Sequence, residues 1–270
     1  MRQLIAFEYR KLIRSKAIYI CMIVMAALSI AGIFITKASM DFINSSFGGS
    51  MIGDLDGIDM FNYSGLKYLV SACSSSNITI LFAIFVTIFV CGDFTEGTIK
   101  NIVARGFSRE KVFLAKSMVI CTGTIVFGLV AMLVGFVSGT IAFGAGTGFD
   151  GEFVLNLLVQ LLALIAYTMM NVLLGVLFGK LGGALTLGII IPLVFPLLIQ
   201  LLDLAVMLMS DKPAEATQDF FSRFTISSNL SKISAISVDG TDLVFAAVIF
   251  AVYILLFTLL GILSIRRKEV

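Results

Sequence analysis

The chain has no histidine and no tryptophan, only three prolines, and charged residues fill just 13% of its 270 positions. Each shortage excludes a class of chemistry. Without histidine there is no Ser-His or Cys-His nucleophile pair, no HExxH zinc helix and no histidine-ligated haem. The cysteines Cys21, Cys73, Cys91 and Cys121 stand singly, with no CxxC pair, and read as small apolar residues in or near membrane helices. The phosphate-binding loop GxxxxGK(S/T) is absent too, because Gly175 and Lys180 have the wrong spacing and Leu181 follows. What the chain does have is apolar mass: 59% of its residues are hydrophobic, and the mean hydropathy is +1.06. One soluble core cannot hide so much apolar surface. The protein belongs in a membrane. Its net charge of +2 is too small to suggest a nucleic-acid partner.

A spanning helix needs about 20 mostly apolar residues. Six such runs occur, at 17–36, 69–91, 117–143, 153–178, 184–209 and 243–265. The expected fold is therefore all-α and integral to a membrane, a single transmembrane domain over 1–270. With the N-terminus inside, the inner segments hold 14 of the 19 basic residues, from Arg2 through Lys116 and Lys180 to Arg267 and Lys268. An excess of Lys and Arg marks the cytoplasmic side, so both termini are expected inside. The first run is long for a signal-peptide core and no A-x-A site follows, so it reads as a retained helix. The longest outer connections, 37–68 and 210–242, are too short for a catalytic domain.

Two inner segments stand out. In residues 1–16, Ile5, Tyr9, Leu12 and Ile13 share one helical face, and Arg10, Lys11 and Arg14 the opposite one. That is the pattern of a helix lying in the membrane interface; plain positive-inside flanking stays open beside it. In the connection 92–116, Asp93 with Glu96 resembles a capping box, predicting a helix start there. Phe94, Thr98, Ile99, Ile102 and Val103 give this helix an apolar face, Gly106 fits its end, and Ser108 fits the cap of the next. A bare turn needs only a few residues. A half-apolar helix here suggests that something docks on it.

Glu96-Gly97-Thr98-Ile99-Lys100-Asn101, Gly106-Phe107-Ser108-Arg109 and Lys116 resemble the inner loop of ABC-2 type transporter permeases. Glu8-Tyr9-Arg10-Lys11 with Arg14-Ser15-Lys16 resembles their entry helix, and Phe221-Ser222-Arg223 with Ser228-Asn229 the region before the sixth span in small Firmicute-type members. The resemblance implies one integral half of an ATP-driven exporter in the bacterial cytoplasmic membrane. Two ATPase subunits would dock on the inner helices, and a second permease, identical or paralogous, would complete the path. ATP and Mg would be held by the partner, with no cofactor on this chain and no enzyme activity of its own. Glu8, Arg10, Lys11 and Arg14 would form the interfacial helix. Phe94, Glu96, Gly97, Thr98, Ile99, Lys100, Ile102 and Arg105 would couple to the ATPase. An amphipathic or hydrophobic cargo, such as an antimicrobial peptide, a drug or a lipid-like molecule, follows from the same likeness.

Weaker signals lie inside the membrane. Asp203 is the one acid well within an apolar run, a default candidate for a functional site, and Ser75 and Asn77 join it as possible path residues. The polar stretch 71–77, Gln160 and Asn171 either line a cavity or bond between helices. Pro192 and Pro196 favour a kink in the fifth run. Gly135-x-x-x-Gly139 permits close helix contact. Gly144–Gly151 only superficially resembles an intramembrane aspartyl-protease motif, since Phe149 spoils the spacing. A stand-alone transporter or channel is the competing class. It predicts several intramembrane charges or two related halves, and the sequence has one such acid and no repeat.

Overall fold

The computed structural model describes residues 1–47, 63–74, 76–146, 151–209, 221–235 and 238–267, without the side chains at 44, 46, 47, 76, 77 and 152. Ser75 lies outside the described residues, and Asn77 is described only as backbone. The described helices are α1 (Arg2–Arg14), α2 (Lys16–Phe47), α3 (Gly65–Ser71), α4 (Ser76–Thr95), α5 (Thr98–Ala104), α6 (Arg109–Phe143), α7 (Gly151–Phe178), α8 (Leu181–Met209), α9 (Ile226–Lys232) and α10 (Gly240–Arg267). Among the described residues there is no strand. In lipid every backbone polar group must be paired within its own segment, which is why these apolar runs form helices. Six of them (α2, α4, α6, α7, α8 and α10) are long and apolar enough to cross a membrane. The protein is a multi-pass helical membrane protein.

Connectivity then sorts the short elements. α1 and α5 fall on one side of the six spans, and α3 and α9 on the other. The spanning window in α7 is 72% buried within the protein, against 6% for that in α8, so α7 is central and α8 peripheral. Lipid is as apolar as leucine, so helices here are held together by close packing rather than by the hydrophobic effect. Phe82, Phe85 and Phe89 of α4 interlock with Phe127 of α6, whose ring centroid is 5.4 Å from that of Phe82. At 35 residues, or roughly 50 Å, α6 outruns a hydrocarbon core of about 30 Å. Its first turns therefore stand clear of lipid and carry charge.

The second span departs from expectation. Instead of one helix over 69–91, the chain forms α3, a 3-10 turn at Ala72–Ser74, and then α4. Ser74 Oγ donates to the Ser71 carbonyl at 3.2 Å, a local bond that competes with the helix ladder. α3 is packed instead on α6 along the glycine stripe: a Cβ on Gly135 would lie 2.8 Å from the Tyr68 carbonyl oxygen, and one on Gly139 would lie 2.9 Å from the Tyr68 ring. The first span runs on to Phe47, past the apolar run.

Candidate functional site

Where α1, α4 and α6 meet, four charged side chains are enclosed together. On α1, Leu4, Glu8 and Leu12 recur every fourth residue and form the buried stripe. This differs from the expected face: Ile13 is exposed, and Lys11 reaches inward rather than toward open headgroups. Arg10 and Arg14 are exposed. Leu12 sits over Gly123 of α6, the closest of its atoms 3.3 Å from where a Cβ would be.

Asp93, inside the last turn of α4, pairs with both Lys11 of α1 and Lys116 of α6. Lys116 Nζ is also 3.8 Å from Glu8 Oε2, donates to the Phe89 carbonyl at 3.4 Å, and lies 4.9 Å from the centre of the Phe89 ring. Two acids and two bases thus make a neutral group, with Glu8, Asp93 and Lys116 all buried. Burying an unpaired charge costs several kcal/mol per ion, so each member holds the others in place. Neither Glu8 oxygen accepts a hydrogen bond. Burial pushes the Glu8 carboxyl up from 4.5 to about 6, against the opposing pull of Lys11.

Asp93 is therefore not a helix cap, and the expected start at 93 is corrected. α4 continues through Thr95, with the Glu96 N–H still donating to the Gly92 carbonyl. The break comes at Gly97, whose φ of +66° suits a residue without a Cβ. α5 then runs from Thr98 to Ala104, and Gly106, at φ +88°, follows it. The apolar face of α5 is not free: Ile99 and Ile102 are buried, Ile102 clustering with Leu4 of α1 and with Val112 and Ala115 of α6. Phe94 is half-buried against the main core. What α5 and its flanks leave outside is Thr95, Glu96, Lys100, Asn101, Ala104 and Arg105. The start of α6 is tied to the end of α10 by Arg266 Nε donating to Glu110 at 2.6 Å.

On the opposite side Asp203 has a structural task. Its carboxylate accepts from the Phe221 and Ser222 N–H groups at 2.6 and 2.9 Å, holding the segment that leads into α9. Asn156 and Gln160 of α7 donate to the Ala235 and Ile233 carbonyls at the end of that segment, at 3.3 and 3.2 Å, so Gln160 bonds between elements. Asn171 lies buried against Gly188 of α8, its Oδ1 without a donor. Among the described residues no three Cys, Asp or Glu side chains gather for a metal ion.

Sequence reasoning missed the four-charge group. Its only trace was a strict i, i+4, i+8 reading of Leu4, Glu8 and Leu12, which places an acid in the middle of an apolar stripe. Residues 19–270 match the model of the family described as "Protein of unknown function (DUF2705)", and the chain belongs to that family. α1 precedes the matched region. No curated protein matches the chain.

Proposed function

We propose that this DUF2705 protein is the permease subunit of an ATP-driven exporter of the ABC-2 type, working in the bacterial cytoplasmic membrane with both termini inside. One observation carries the reading. A short helix, α5, lies on the same side as most of the basic residues, its apolar face spent on α1 and α6 and its polar face outward. The charged group fastens it through α4 to two other helices, so a push on α5 is delivered to the membrane domain as a unit. A loop serving only to join two spans has no use for such bracing. The absence of a phosphate-binding loop assigns ATP hydrolysis to a separate subunit.

Docking then runs through Glu96, Lys100, Asn101 and Arg105, not through Ile102. Gly97 is required for its backbone conformation, since a Cβ there would touch nothing within 4 Å. The Lys100→Glu, Arg105→Glu double variant should lose about tenfold in association with the ATPase purified from the same membranes, equivalent to about 1.4 kcal/mol. The chain alone should hydrolyse no ATP. Unchanged association of the double variant, or an ATPase activity that stays with the isolated chain, sinks the proposal.

A further inference from the structure

Two adjoining clefts lie where α7 and α8 meet α9, bounded by α4 on one side and α10 on the other, and open at a rim where Phe195 is 49% exposed. The larger, about 350 Å³, is walled by Met170 and Leu174 of α7, Phe195 and Pro196 of α8, Ile226 of α9 and Phe257 of α10. The smaller, about 120 Å³, is lined by Ser74, Thr79, Gly188, Ser227 and Ser231, among others. Tyr167, Pro192 and Ser227 line both, so the two adjoin across these side chains. Tyr167 and Pro192 lie well inside their helices, so α9 and its leading residues reach far into the span region. Irregular backbone at that depth is tolerated only where it is buried in protein or lines a cavity.

The chambers differ in chemistry. The larger is apolar, and its hydroxyls are largely spent within the protein: Tyr253 donates to the Phe224 carbonyl at 3.1 Å, and Thr225 Oγ1 to the Ser222 carbonyl at 2.8 Å. The smaller gathers acceptors. Pro192 and Pro196 have no N–H, so the carbonyls of Gly188 and Pro192, both on its wall, lose their helical donors. Among the described residues neither chamber is lined by Asp, Glu, Lys or Arg, so a charged group would meet no compensating charge from them. The larger volume lies in the range of small-molecule sites, about 300–1,000 Å³.

We propose that this joined cavity binds a single-chain amphiphile whose head is uncharged and donates hydrogen bonds, such as a long-chain alcohol, a primary amide or a monoacylglycerol. The chain fills the apolar chamber, and the head donates to the Gly188 and Pro192 carbonyls. The site stands on this chain alone. Calling its ligand the cargo rests on the exporter reading, which the association assay tests separately.

The test uses the full chain in lipid nanodiscs and a monoacylglycerol carrying a diazirine in its acyl chain, with adducts mapped by mass spectrometry. Saturable adducts on Met170 or Phe257, competed by unlabelled monoacylglycerol, are expected. Leu174→Trp should cut that labelling about tenfold by filling the chamber, and the milder Met170→Phe should do so in part if the first variant folds poorly. Adducts confined to outward residues such as Leu197 and Leu259, indifferent to these changes, would overturn the proposal. So would equal saturable labelling by a diazirine-tailed phosphatidylcholine, which would mark an ordinary lipid contact, or labelling that vanishes as copies of the chain associate.

Discussion

Glu8 and Lys116 illustrate how much of the molecule depends on single side chains. Removing one partner from a buried charge group leaves the others uncompensated, at a cost of about 3–5 kcal/mol. Lys116→Met should therefore lower the thermal midpoint of the detergent-solubilised protein sharply, whereas exposed Arg10→Met should hardly move it. Glu8 adds a pH signature. Its folded-state value of about 6 lies above the ordinary 4.5, so the folded chain binds more protons across that window. The stability contributed by protonated Glu8 is full below 4.5 and is lost as pH rises through about 6. In Glu8→Gln the difference in thermal midpoint between pH 5 and pH 7 should shrink; an unchanged difference would show that Glu8 is not the group responsible. Asp203 teaches the converse. The sequence offers a lone acid in an apolar run as a candidate site, and the two backbone N–H groups that its carboxylate holds are invisible there.

Among elements, the spans were legible because length and composition suffice to define them in lipid. Their ends were less so. The first spanning helix, α2, outruns its apolar run to Phe47, because helix continuation past the membrane depends on local pairing and not on hydropathy. The capping reading of Asp93 failed for a related reason: its side chain had partners 82 and 23 residues away in sequence, Lys11 and Lys116, and local spacing cannot see them. The glycine stripe was readable as a permission for contact but not as a contact. It is used by α3, which sequence reasoning had merged into the second span. Since a Cβ at Gly139 already crowds Tyr68, Gly139→Leu should detach α3 and destabilise the protein by about 1–3 kcal/mol, the usual cost of overpacking. Gly32→Leu, where a Cβ meets nothing within 4 Å, is the control and should be nearly silent in the same melting assay.

For the whole molecule, the six-helix architecture follows from composition, while the functional reading needs the sidedness of its charge. If most Lys and Arg lie inside, a cysteine replacing Lys100 should react only with membrane-permeant thiol reagents in intact cells, and one replacing Asp41 with impermeant reagents as well. Both positions are exposed, and the native cysteines are buried or half-buried. Labelling of position 100 from outside would invert the topology and remove α5 from the reach of any cytoplasmic ATPase. The cavity between α7 and α10 was not legible at all, because it is made by helices that are distant in sequence. The enclosure of Glu8 and Lys11 also constrains biogenesis. α1 leaves the ribosome before α4 and α6, and the acid that neutralises Lys11 is 82 residues further on, about 4–16 s of synthesis at 5–20 residues per second. Until the third span has been inserted, α1 has nowhere to dock, and its charges must wait at the membrane surface while half of the spans are still to come.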